Sequence, residues 1–211
     1  MRAIADRRSA VFGAPLDGVQ WNEGRLRRRG HASPGERYRN IVASAGQPIE
    51  ARASSQRDAE VARRYSMHAF GAVFAEVEVD PDLGTIRVRQ AIGAYGAGRI
   101  VNPRLATSQC TGGMVGGIGM ALMERTVLDP RDGRPVNAHL ADYLVPVNLD
   151  VARLEAHFVD EQDPHVNPLG VKGLGEIALV GMAPAIANAV FHATGKRVRR
   201  LPIRIEDVLS P

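Results

Sequence analysis

Phe70-Gly71-Ala72-Val73-Phe74-Ala75-Glu76-Val77-Glu78-Val79, Asp80-Pro81-Asp82-Leu83-Gly84 and Thr85-Ile86-Arg87-Val88-Arg89-Gln90-Ala91 decide the fold class of this 211-residue chain. The first segment ends, and the third continues, in alternation of apolar and polar residues, the period of a strand with one buried face. The proline- and glycine-bearing segment between them is a turn. The stretch therefore predicts a β-hairpin. Beyond it, Gly93–Asn102 reads as a glycine-bearing loop, and Pro103 opens a long helix running to about Glu124. Asp129–Gly133 is another turn, Leu154–Val159 a strand, and 160–172 a loop. The apolar run Ile177–Ala193 predicts a second long helix, with Ile177, Val180, Ala183, Ile186 or Ala187 and Val190 on its inner face and Gly195 as its cap. Val198–Ile205 closes the chain as an extended segment. Strands and helices mix without an internal repeat, so the fold class is α+β.

On the N-terminal side the pattern weakens. Residues 1–12 read as the end of a helix, and Val19–Arg27 as a small hairpin turning at Asn22-Glu23-Gly24. Ser33-Pro34-Gly35-Glu36 has the form of a capping box, predicting a helix from there to about Ala45, stopped by Gly46 and Pro48. Ile49–Ala53 reads as a strand, and the polar, Arg-rich Gln56–Ser66 as a loop. The expected organisation is a linker-like segment over 1–69, with its hairpin and helix, and a domain over 70–211.

Composition narrows the function classes. An apolar fraction of 45% and a charged fraction of 24% are those of an ordinary globular chain. The net charge is +4, carried almost entirely by Arg, since Lys occurs only at 172 and 196. Arg25, Arg27, Arg28 and Arg29 form a basic cluster that could mark nucleic-acid binding. However, aromatic residues are only 5% and offer no stacking platform, so a solvated face is the better account and no nucleic-acid partner is expected. Cys110 is the one cysteine, which excludes an internal disulfide and makes it a small buried filler. Met1-Arg2-Ala3-Ile4 leads into charges without the apolar core of a signal peptide. Gly112–Met123 is too short and Gly-rich for a membrane span, so no membrane partner is expected. His31, His68, His139, His157, His165 and His192 are scattered, so no metal site made of side chains is expected.

Three stretches concentrate glycine beside polar groups. Gly93–Pro103 carries a strand into a helix, where backbone N–H groups and Arg99 could hold a phosphate. Ser108–Gly119 repeats glycine every four residues, at Gly112/Gly116 and Gly113/Gly117. Each Gly costs about 1 kcal/mol in a helix interior, so close packing of another helix or a bulky cofactor must compensate. Gln109 lies beside that face. Finally, Gly170-Val171-Lys172-Gly173-Leu174-Gly175-Glu176 places a carboxylate where a helix begins. It is either a complement to the helix dipole or a fixed general base.

Together, Gly98-Arg99-Ile100-Val101-Asn102-Pro103, Ser108-Gln109-x-x-Gly112-Gly113-x-x-x-Gly117-x-Gly119-x-Ala121-Leu122 and Asn167-Pro168-x-Gly170-x-Lys172-Gly173-x-Gly175-Glu176 resemble the molybdenum-binding subunit of the xanthine dehydrogenase/aldehyde oxidase family. The similarity runs from about Phe70 to Leu209 and is nearest the periplasmic-type aldehyde oxidoreductases that use molybdopterin cytosine dinucleotide. The resemblance implies the C-terminal portion of a molybdenum-cofactor-binding domain, with a Gly-rich helix and a second helix after the Gly-x-Gly-Glu loop. It implies oxidation of aldehydes, or related carbonyl and heterocyclic substrates, to acids with water as the oxygen source. Glu176 would be the general base that deprotonates a Mo–OH, with hydride passing to a Mo=S sulfur and electrons leaving through iron–sulfur and FAD centres on partner subunits. Cofactor contacts would come from Arg99, Ile100, Val101, Asn102, Pro103, Arg104 and Leu105, from Gln109 at the molybdenum end, and from Lys172, Gly173, Leu174 and Gly175. The metal itself would be held by the pterin dithiolene. Family subunits are several times longer, so a complementary N-terminal half is an expected partner. The alternative is a truncated remnant, or a partner-binding fragment, without turnover. The compartment expected is cytoplasmic, or periplasmic by export with a partner that carries the signal.

Overall fold

The computed structural model describes residues 9, 11–50, 52, 54 and 58–209. Chain contacts divide it into two units, Met1–Ser55 and Gln56–Pro211.

In the first unit β1 (Val19–Asn22) pairs antiparallel with β2 (Arg25–Arg28). The expected hairpin turns at Glu23 and Gly24, both in the left-handed region that such a two-residue turn requires. The helix expected from Ser33 begins later. Residues 36 and 37 instead form β3 (Glu36–Arg37) on the edge of β2, and α1 covers only Tyr38–Ala45. The reason is tertiary. Gly35, at φ 74, lies so close to β2 that a Cβ there would sit 2.5 Å from the Leu26 carbonyl oxygen, so sheet pairing outcompetes the local cap. Gly46 ends α1 in the left-handed conformation, as expected. Val11, Leu26 and Ile41 form this unit's core. Ile49 and Glu50 are not in a strand; Ala51 and Ala53 lie outside the described residues, as does most of the helix end expected over 1–12.

The second unit opens with α2 (Ala59–Arg64), where the sequence suggested a loop. Asp58 Oδ1 caps it, accepting from Glu60 N at 2.8 Å and Val61 N at 3.4 Å. The polar, Arg-rich composition hid this short helix. The central hairpin is as expected: β4 (Phe70–Val79) pairs antiparallel with β5 (Ile86–Gly96). β5 extends five residues past the expected end at Ala91, so the glycine loop begins only at Ala97. α3 (Pro103–Leu122) follows, and β6 (Arg153–Phe158) returns parallel to β5, giving the sheet order β4-β5-β6.

α4 (Ile177–Thr194) packs on α3 and β4 and ends at Gly195 in the left-handed conformation. Its buried face is Ala178, Met182, Ala183, Ile186 and Val190, whereas Val180 is 69% exposed. α4 is apolar nearly all round, so periodicity alone could not choose its inner face. By length and composition it would suffice to cross a membrane, and here its apolar stripe is core. Glycine makes the α3–α4 contact close: a Cβ on Gly117 would fall 2.3 Å from Met182 Cβ, and one on Gly113 would fall 3.1 Å from Ala178 Cβ. The segment 198–204 is irregular rather than a strand, tied to α3 by Ile203 N donating to Ala121 O at 2.7 Å, before α5 (Ile205–Leu209).

Candidate functional site

Because β5 and β6 run parallel, their C-terminal ends emerge on the same side of the sheet, the place where parallel strands present ligand-binding loops. β5 continues into Ala97-Gly98-Arg99, and β6 into 159–172. The two extensions zip together: Lys172 N donates to Ala97 O at 3.0 Å, and Arg99 N donates to Gly170 O at 2.7 Å. The approach is close enough to demand glycine at 98, where φ is +64 and a Cβ would stand 2.2 Å from the Gly170 oxygen. An open pocket of about 1000 Å³ lies here, walled by residues 98–100, 158–164 and 167–170.

The ionic centre of this junction is Lys172, whose side chain is 6% exposed. Its ammonium bonds Glu161 Oε1, and Asp163 Oδ2 lies 3.1 Å away. Glu161 also accepts from Gly98 N at 2.8 Å through its other oxygen. Asp163 turns the loop by accepting from His165 N and Val166 N. Asn167 braces the return, accepting from Leu169 N and Val171 N and donating to Val171 O at 2.7 Å.

The hydrogen bond from Lys172, then that from Gly98 N, holds Glu161 below its ordinary value of 4.5. The hydrogen bond from His165 N, followed by those from Lys172 and Val166 N, holds Asp163 below 3.8. The bond to Glu161 raises Lys172 above 10.5. The carboxylate contribution is therefore present above the unfolded values and is lost as pH falls through the lowered ones. The lysine contribution is present below 10.5 and is lost as pH rises through the raised value.

A second approach comes from α3. Asn102 caps it, Oδ1 accepting from Leu105 N at 3.1 Å, with Pro103 at the first position. One and a half turns further on, Gln109 Nε2 donates to Gly175 O at 2.8 Å, tying the Gly-rich helix to the loop before α4. Around this bond the glycines change character. Gly112, Gly173 and Gly175 have no heavy atom within 4 Å of where a Cβ would be, and none has positive φ. Neither backbone conformation nor packing among the described residues calls for glycine at these three positions.

Glu176 stands at the N-cap of α4, exposed, and its side chain accepts no capping hydrogen bond. Its carbonyl starts the helix, accepting from Leu179 N at 3.1 Å, while its carboxylate has no partner among the described residues. Proximity to the helix dipole is therefore real, but the carboxylate does not cap the helix.

The structure thus gathers the three glycine-rich stretches at one end of the sheet. Arg99 and Arg104 are exposed and form no ion pair among the described residues. Ile100 is half-buried beside the pocket, Leu174 is half-buried against the core, and Val101 and Leu105 are 73% and 68% exposed. Among the described residues, no group of three or more His, Cys, Asp or Glu could hold a metal ion. Cys110 is fully buried, and burial pushes its thiol up. Sequence reading missed Glu161 and Asp163, and gave no role to Asn167. The available signal was the acidic run Asp160-Glu161-Gln162-Asp163 shortly before one of only two lysines.

Comparison with known proteins gives the family. The profile of the molybdopterin cofactor-binding domain family matches residues 1–152. An aldehyde oxidoreductase molybdenum-binding subunit of Escherichia coli strain K12 is 43% identical over 150 residues, covering 71% of this chain and 20% of the relative. A xanthine dehydrogenase molybdenum-binding subunit of Escherichia coli O157:H7 is 38% identical over 135 residues, covering 64% of this chain and 18% of the relative. Among solved structures, quinoline 2-oxidoreductase from Pseudomonas putida 86 superposes with a TM-score of 0.72 at 25% identity, covering 92% of this chain and 26% of that one. The chain thus spans about a fifth of the length of the curated relatives it matches. With its mixed strands, Gly-rich helix and Gly-x-Gly-Glu loop, it belongs to the molybdopterin cofactor-binding domain family of the xanthine dehydrogenase and aldehyde oxidase type.

Proposed function

We propose that this chain supplies part of the active site of a molybdenum hydroxylase that oxidises aldehydes, or related carbonyl and heterocyclic substrates, to acids, with Glu176 as general base. The observation that carries this reading is the Gln109–Gly175 hydrogen bond. It ties the Gly-rich helix to the residue directly before Glu176, whose carboxylate has no partner among the described residues.

The residues suit a bulky anionic cofactor. Gly112, Gly173 and Gly175 leave room where side chains would otherwise project. Arg99 and Arg104 form no ion pair among the described residues, and a guanidinium fork matches phosphate. Backbone N–H groups at 100–102 and 104 lie at the N-terminal end of α3, whose dipole favours an anion, although Pro103 has no N–H and Asn102 has taken the Leu105 N–H. Asn102 and Pro103 therefore act through backbone placement. The cofactor is read as molybdopterin cytosine dinucleotide, which supplies two-electron oxidation with transfer of a water-derived oxygen. Glu176 takes the proton from the attacking oxygen nucleophile. Its exposed position at the helix start leaves the carboxylate open to accept that proton. Gln109 uses one N–H on Gly175 and retains its oxygen and second N–H for a ligand. The exposed Val101 and Leu105 fit burial by further polypeptide that completes the pocket, on this chain or another. Iron–sulfur and FAD centres on partner subunits would supply the electron sink.

The test is to assemble the chain with the polypeptide that completes its relatives' length, then measure molybdenum, cytidine content and aldehyde turnover. Glu176→Gln should retain both cofactor components while losing about 10²–10⁴-fold in kcat. A complex lacking molybdenum and cytidine would overturn the enzyme reading in favour of a fragment without turnover.

A further inference from the structure

We propose that Lys172 is a positioning residue for the base loop and not a phosphate ligand: its ammonium, clamped between Glu161 and Asp163, sets where Glu176 stands. This rests on the reading of Glu176 as the base. Lysine beside a cofactor loop would ordinarily be taken as a contact for phosphate. Here the ammonium is almost fully buried and engaged by two carboxylates that are themselves only 21% and 14% exposed. Moving it to a phosphate would strand both carboxylates without a counter-charge, the costly way to break such a cluster. Arg99 and Arg104, exposed and unpaired among the described residues, are better placed to meet an anion.

The clamp acts in two directions. Through the second oxygen of Glu161 it holds Gly98 N, next to Arg99, at 2.8 Å. Through the backbone of residue 172, whose N–H is fixed on Ala97 O at 3.0 Å, it anchors the start of Gly173-Leu174-Gly175. No heavy atom among the described residues lies within 4 Å of where a Gly173 side chain would begin, so we take the segment's definition to come from its ends and from half-buried Leu174. Gln109 pins the far end at Gly175 O, and Lys172 pins the near end. Glu176 follows directly. Releasing one pin gives the carboxylate freedom of about an ångström, enough to reduce catalysis about a hundredfold.

The experiment compares Lys172→Met, Lys172→Arg and Glu161→Gln in the assembled enzyme, and follows amide hydrogen exchange in the same proteins. Positioning predicts that Lys172→Met and Glu161→Gln both lower kcat about tenfold to a hundredfold. KM, molybdenum and cytidine content should stay within about twofold, and Lys172→Arg should recover much of the loss. Exchange at the Gly98, Arg99 and Lys172 amides should quicken about tenfold or more in the two charge-removing variants. Loss of cytidine in Lys172→Met but not in Glu161→Gln would overturn the proposal and make Lys172 a phosphate ligand. Normal kcat in both variants, with Glu176→Gln inactive, would overturn the positioning role alone. A fully active Glu176→Gln would overturn the base assignment and this proposal with it, while the exchange data would still report on the clamp.

Discussion

Two sets of glycines lie in this region, and they differ in what surrounds them. Gly113 and Gly117 lie on the side of α3 that meets α4, where a Cβ would press on Ala178 and Met182. Gly112, one residue away on the same helix, looks into open space, as do Gly173 and Gly175 before Glu176. The first set lets two backbones approach. Under the proposed function, the second set leaves room for the cofactor. Glycine density therefore does not distinguish a packing seam from a ligand cradle; the neighbour of the absent Cβ does.

The comparison can be broken most sharply at the open set. Gly173→Val should leave the melting transition unchanged within about 0.5 kcal/mol, because the new side chain meets nothing in the chain. Molybdenum retention in the assembled enzyme should nevertheless fall about tenfold to a hundredfold, the effect of overpacking a fitted contact. Unchanged retention would remove the cradle from the argument.

Gly117→Ala should do the reverse. Its Cβ would stand 2.3 Å from Met182 Cβ. Overpacking costs about 1–3 kcal/mol, and the helix preference of Ala over Gly returns about 1 kcal/mol, leaving a net loss of up to about 2 kcal/mol. Denaturant unfolding measures it, and a stabilised variant would show that the seam can relax.

The smallest effect lies on the packed side. Tyr95 is fully buried with its hydroxyl unpartnered, and burial first, then Cys110, pushes its pKa up to about 12. A raised value means the folded state keeps the proton longer, so stability is full below about pH 10 and falls by about 1.4 kcal/mol per unit as pH rises toward 12. Tyr95→Phe should abolish that alkaline loss and stabilise the fold at neutral pH by up to about 1 kcal/mol, readable as a higher melting temperature. A lower melting temperature would mean that the hydroxyl contributes to stability.

Much of the candidate site could be read from residue order because its motifs are local. The helix at Pro103, the loop 173–175 and the carboxylate at 176 follow from glycine, proline and apolar runs within a few positions. What escaped was either too short or too distant to signal itself. α2 hid in a polar run because a single Asp58 cap and one turn of helix carry little hydrophobic pattern. The Ser33 capping box failed because strand pairing with β2 captured residues 36 and 37. The inner face of α4 was read correctly at Ala183, Ile186 and Val190 but not at exposed Val180, because nearly every side of that helix is apolar.

By itself, the sequence determined the α+β class, the central hairpin, the two long helices and the family to which the chain belongs. Those follow from short-range periodicity, turn chemistry and motifs whose spacing is written along the chain. Only the tertiary structure decided that β6 lies parallel to β5, that Lys172 is bound by Glu161 and Asp163, and that Gln109 reaches Gly175. These contacts join residues 9 to 66 positions apart, and their partners are chosen by burial and charge once the sheet has formed, which no local pattern encodes.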